Sequence, residues 1–139
     1  MPIFAIEGKP KSVVGSDPAA NTEASVTVPD GSTWVIQSAH VTLAQGATQT
    51  PLPSLNIKDA AGNVVGSFPG ASAATSVSTT STFDWFEGAT LTAGAGGTAN
   101  RGPIPRGLAV GGGWTVTTST SGIGANSNYG ALTLSVIAL

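Results

Sequence analysis

A chain of 139 residues is long enough to bury one hydrophobic core of its own. With 40% apolar and only 9% charged residues, it reads as an ordered, β-rich domain rather than a disordered segment. Its net charge of −2 includes only five basic residues, Lys9, Lys11, Lys58, Arg101 and Arg106, scattered along the sequence; with no basic stripe to displace counterions from phosphates, no nucleic-acid partner is expected.

Residues 1–20 read as an extended N-terminal arm, because Pro2, Pro10 and Pro18 break any helix. Two readings stand for it: a first edge strand on the body, or an arm lying on a neighbouring subunit. In the second, Ile3, Phe4, Ile6, Lys9 and Lys11 are the candidate partner contacts. The remaining residues, 21–139, read as one β-sandwich domain.

Ser25–Val28 and Thr33–Leu43 are β-rich runs flanking Pro29-Asp30-Gly31-Ser32. Proline presets φ, aspartate bonds its own downstream backbone and glycine accepts positive φ, so this is a turn, and the two runs predict a hairpin. Strict alternation puts Val35, Ala39, Val41 and Leu43 on one face of the second run. Trp34, Ile36, Ser38, His40 and Thr42 then share the other, which starts apolar and turns polar, as for a strand leaving the core.

Leu52–Asp59 and Val64–Phe68, joined by Asp59-Ala60-Ala61-Gly62-Asn63, predict a second hairpin. Ser76–Glu87 reads as one strand with Val77, Phe83 and Trp85 on a common face, and residues 93–100 as a loop. Ile104–Val110 is a strand interrupted by Pro105, which argues for an edge or a bulge. Gly111-Gly112-Gly113 is a turn, Trp114–Thr120 a strand, and residues 121–130 a loop. Ala131–Leu139 points Leu132, Leu134 and Val136 to one side and reads as a buried, central strand. Apolar residues nowhere recur with helical spacing over ten residues. About eight strands at sandwich-like spacing predict an all-β fold: an antiparallel two-sheet sandwich, of the jelly-roll kind, anchored by Trp34, Phe68, Phe83, Trp85 and Trp114.

No reaction is written in these residues. His40 is the single histidine; Ser38, Asp30 and Asp84 are the residues that would complete a nucleophilic set, and nothing in the sequence brings them to it. It reads as a packing residue, and no catalytic residue is assigned. Asp84 and Glu87 around Trp85-Phe86 suggest a sugar site less than they suggest core aromatics at a strand end. One histidine, no cysteine and no calcium-loop pattern leave no metal site, and Gly94-Ala95-Gly96-Gly97 lacks the order of a phosphate loop. No cofactor is expected. The first eleven residues lack the long apolar core of an export signal, and no stretch approaches the ~18 apolar residues of a membrane span. A soluble protein made in a cytoplasm, with no membrane partner, is therefore expected.

Three stretches carry a resemblance. Ser25–Leu43 has the pattern V-P-x-G-x-x-W-x-x-x-S-x-x-V-x-L, Leu55–Val65 has L-x-I-x-D-x-x-G-N-V-V, and the hairpin after Pro103 closes on an aromatic residue at Trp114. Together they resemble small β-sandwich virion proteins of tailed bacteriophages, over Ser25–Phe68 and Pro103–Leu139. The departure is Gly111-Gly112-Gly113, where such proteins would carry a proline-containing turn. The resemblance implies a non-enzymatic capsid decoration (cement) protein, a homotrimer on the major capsid protein, found in the virion after assembly in the host cytoplasm. A tail, head–tail adaptor or fibre-associated role is the second reading. A sugar- or receptor-binding jelly-roll module is the third, with a site in loops 93–100 and 121–130 and Tyr129 as its one aromatic contact.

Overall fold

In the computed structural model, residues 8–44, 52–70, 80–93, 99–121, 123 and 127–139 are described. They form twelve strands: β1 (Lys9–Val14), β2 (Ser25–Thr27), β3 (Thr33–Ala44), β4 (Leu52–Lys58), β5 (Val64–Pro69), β6 (Thr80–Glu87), β7 (Thr92–Ala93), β8 (Ala99–Ile104), β9 (Leu108–Gly111), β10 (Thr115–Ser121), β11 (Asn128–Tyr129) and β12 (Thr133–Ala138). No helix occurs among the described residues. The larger sheet runs β1-β12-β3-β6-β8-β7, with β9 and β11 also on β3; the smaller runs β2-β10-β4-β5. The two pack face to face as a sandwich, all antiparallel except β6 and β8, which run parallel. That pair departs from the strictly antiparallel jelly-roll pattern expected.

β3 is the spine. One of its edges is shared by β9, over Thr33–Ile36, and β6, over Ser38–Ala44. The other is shared by β12, over Trp34–His40, and β11, over Leu43–Ala44. Between the halves the register slips at Gln37: Ser135 faces Ser38, while the next residue, Val136, faces Ile36. This β-bulge exchanges the faces of the strand. Trp34 and Ile36 therefore point into the same core as Ala39, Val41 and Leu43. The change from apolar to polar along one face comes from the bulge, not from a strand leaving the core.

The core also takes Val26, Val28, Leu55, Ile57, Phe83, Trp85, Val110, Val116, Leu132, Leu134 and Val136. Each large apolar side chain removed from water there stabilises the fold by about 1.5–3 kcal/mol. Of the expected anchors, Trp34, Phe83 and Trp85 are buried. Phe68 and Trp114 pack against the core partly exposed. The Phe83 and Trp85 rings stack at 6.2 Å, and the Trp85 indole N–H donates to the Phe68 carbonyl, tying the two sheets.

β12 lies between β1 and β3, so the last strand is central as expected, although Leu139 itself is exposed. Lys9–Val14, within the segment read as an arm, is an edge strand of the larger sheet, antiparallel to β12; Met1–Glu7, including Ile3, Phe4 and Ile6, lie outside the described residues. The single strand expected over Ile104–Val110 is two, β8 and β9, separated at Pro105–Gly107, where Gly107 has φ +75°. The PDGS hairpin is not formed. β2 pairs with β10 in the smaller sheet and β3 belongs to the larger, so the turn is a corner between sheets. The second hairpin forms as expected, β4 with β5.

Candidate functional site

The bulge at Gln37 sets the outer face of the larger sheet. With Ala39, Val41 and Leu43 turned inward, Ser38, His40 and Thr42 face out. On β6, Phe83 and Trp85 face in, so Thr82, Asp84 and Phe86 face out. Strand pairing sets His40 opposite Asp84, and Asp84 beside Arg101 of β8. His40 Nδ1 and Asp84 Oδ1 lie 2.6 Å apart, and since a carboxylate only accepts, the ring N–H donates. Side-chain exposures of 47% and 37% make this a surface pair, worth at most about 1 kcal/mol. Phe86, partly exposed, sits opposite Ser38 and beside Pro103.

Of the three residues weighed for His40, the structure joins only Asp84 to it. Ser38 shares its face two residues away, with no hydrogen bond to it among the described residues, and Asp30 sits in the corner turn. A His–Asp pair fixes the imidazole orientation; acyl transfer also needs an aligned nucleophile and oxyanion donors. Asp84 and Glu87 do not pair: Glu87 accepts from the Gly107 amide at 3.4 Å and lies 3.8 Å from Arg106. Trp85 between them is core. Among the described residues no three histidine, aspartate or glutamate side chains gather as a metal site would require.

Tyr129, expected as a partner or sugar contact, is buried and offers nothing to a ligand. Its ring fills the core and its hydroxyl lies 2.5 Å from Thr120 Oγ1. Burial, with Glu23 nearby, pushes that hydroxyl well above its ordinary pKa. The Glu23 carboxylate accepts from Thr118 Oγ1, Thr120 N and Thr120 Oγ1. This cluster fastens the segment before β2 onto β10, and the sequence reading passed over Glu23 entirely. A glutamate one residue before an alternating buried run was the available signal.

Lys9 and Lys11 are exposed on β1, and Lys11 Nζ stands 5.7 Å from the centroid of the Trp34 ring, within cation–π range. Of loops 93–100 and 121–130, expected to carry a sugar site, residues 94–98, 122 and 124–126 lie outside the described residues.

The fold defines a class: an all-β two-sheet sandwich with most of its aromatic side chains in the core. The chain matches no protein-family model and no curated protein.

Proposed function

We propose that this chain is a structural virion protein of the capsid decoration type, binding the outer surface of a major capsid protein shell as a homotrimer and stabilising it. The carrying observation is the apolar side chains left open on β4 and β5 of the smaller sheet. Leu52, Val64 and Val65 are 43%, 52% and 53% exposed on β4 and the terminal strand β5. Apolar side chains left open at opposite ends of the β4–β5 pair, Leu52 at one and Val64 and Val65 at the other, suit contact with more than one protein neighbour on a charge-poor domain, and several such contacts per oligomer bind a repeating shell with avidity. The turn and core signatures shared with small phage virion proteins point the same way.

The test is sedimentation of purified protein with capsid shells that lack it. Co-sedimentation and a raised temperature of shell disruption are expected, with a trimeric mass by light scattering. Binding to tail or connector particles instead would move the role to an adaptor or fibre-associated component. Binding to neither, with a positive glycan screen, would replace both by the sugar-binding module. His40→Ala should leave shell binding and background ester hydrolysis unchanged; a loss of hydrolysis would reopen an enzymatic role for the His40–Asp84 pair.

A further inference from the structure

Where β1 and β2 end their respective sheets, the sandwich stands open. A groove of about 510 Å³ lies there, lined by Lys11, Val13, Gly15, Ser25, Thr27 and Trp34 among others, within the volume range of ligand sites.

Its wall on the β2 side is an open strand edge. Val28 N donates to Trp114 O and Thr118 N to Ala24 O. Ala24, Val26 and Val28 therefore direct their backbone groups at β10, and the intervening Ser25 and Thr27 direct theirs the other way. Gly15 meets that edge: a side chain there would lie 2.6 Å from the Ser25 carbonyl oxygen. Gly15 thus covers the edge at Ser25, and Thr27 faces the part of the groove lined by Lys11 and Trp34.

Its charge is one-sided. Gly15 N bonds Leu132 O, and Val13 packs on the core. By the two-residue period Lys11 and Lys9 share the inward face of β1 with Val13. No carboxylate is within ion-pair distance of either lysine among the described residues. Glu23, at the groove's other end, is occupied by its three donors.

We propose that this groove docks an extended acidic segment of a partner protein, paired to the backbone of Thr27 on β2, with its carboxylates against Lys11 and Lys9. Backbone pairing holds such a segment and side chains select it; here the selecting groups are two cations beside an indole floor. Docking of this kind deepens the partner-binding role proposed above and rests on it. Peptides rather than shells probe it, so either can fail without the other.

The probe is a capped heptapeptide alternating valine with aspartate, titrated into the ¹⁵N-labelled full chain, against the same peptide with lysine for aspartate. Shifts confined to Lys11–Gly15, Ser25–Thr27 and the Trp34 indole are expected, with the acidic peptide preferred. Lys11→Glu should weaken the acidic peptide about tenfold and turn the preference towards the lysine peptide. Thr27→Pro removes an N–H that β10 does not use and should weaken both peptides several-fold with the spectrum still folded. Equal affinity for both peptides, shifts elsewhere, or no binding by either overturns the proposal. So does a gain in affinity on deleting residues 1–7, which would make the chain's own N-terminal segment the occupant.

Discussion

Two turns that look alike in the sequence do different work. Pro29–Ser32 and Asp59–Asn63 each combine aspartate with a left-handed glycine, Gly31 at φ +79° and Gly62 at φ +87°. The second is complete in itself. Asp59 N donates to Asn63 O, Gly62 N to Asp59 O, and the Asp59 carboxylate accepts from the Ala61 and Asn63 amides. The first has one internal bond, Ser32 N to Pro29 O, and is otherwise held from 85 residues away: Gly113 N donates to Val28 O. Gly112 is pressed so closely on it that a Cβ there would lie 2.9 Å from Gly31 N and 3.0 Å from Pro29 O. Local chemistry reverses the chain in both places. What the reversed chain pairs with is decided by the distant partner.

The largest expected effect is at the contact between turns. Gly112→Ala forces backbone apart on a face that cannot yield, and should cost about 3 kcal/mol in urea denaturation, the upper end of overpacking penalties. A cost under about 1 kcal/mol, well short of that range, would mean that the corner stands without its partner loop.

Next come the two left-handed glycines, each with open space where a side chain would go. Gly31→Ala and Gly62→Ala should each cost about 1 kcal/mol, and by equal amounts, because the backbone penalty is intrinsic. Unequal losses would show that one turn relaxes. Folding kinetics should then separate the turns: the Gly62 substitution slows refolding, while Gly112→Ala mainly speeds unfolding, since a contact across the whole sequence forms late. The reverse assignment would put the corner in the folding nucleus.

The smallest effect is electrostatic. Hydrogen bonds from Asn63, chiefly its amide, hold the Asp59 carboxyl below its ordinary pKa of 3.8. A lowered folded-state pKa adds stability above the ordinary value and loses it as pH falls through the folded one. The native chain should therefore melt above Asp59→Asn at neutral pH and converge with it as the pH is lowered through the folded-state pKa, which lies below 3.8. A gap that persists into acid would trace the difference to geometry instead of charge.

Sheet membership was the part of the fold least legible in the sequence. Val26 and Val28 announce a half-buried strand, yet their partner, β10, carries nothing that marks it against β3. The bulge at Gln37 was visible only as a puzzle, two apolar residues on an otherwise polar face. Strand alternation around Phe83 and Trp85, and the Asp59–Asn63 hairpin, were legible because their causes are local. β8 was not: Ala99–Ile104 is short of β-branched residues and owes its strand to pairing beside β6. The Glu23 cluster eluded the reading because Thr118, Thr120 and Tyr129 come together only when β10 and β11 are in place. His40 and Asp84 meet by a register that a sequence separation of 44 does not declare.

The bulge leaves the chain with one removable residue. Gln37 faces neither β6 nor β9 in the pairing, and the β12 register steps over it. Without it, Ile36 would be followed by Ser38 and Ala39 in strict inward–outward order, every side chain keeping the face it has now. A chain deleted at Gln37 should give an unchanged near-ultraviolet spectrum, whereas loss of Val41 would throw the rest of β3 out of phase. In this spine, length is negotiable at a single point.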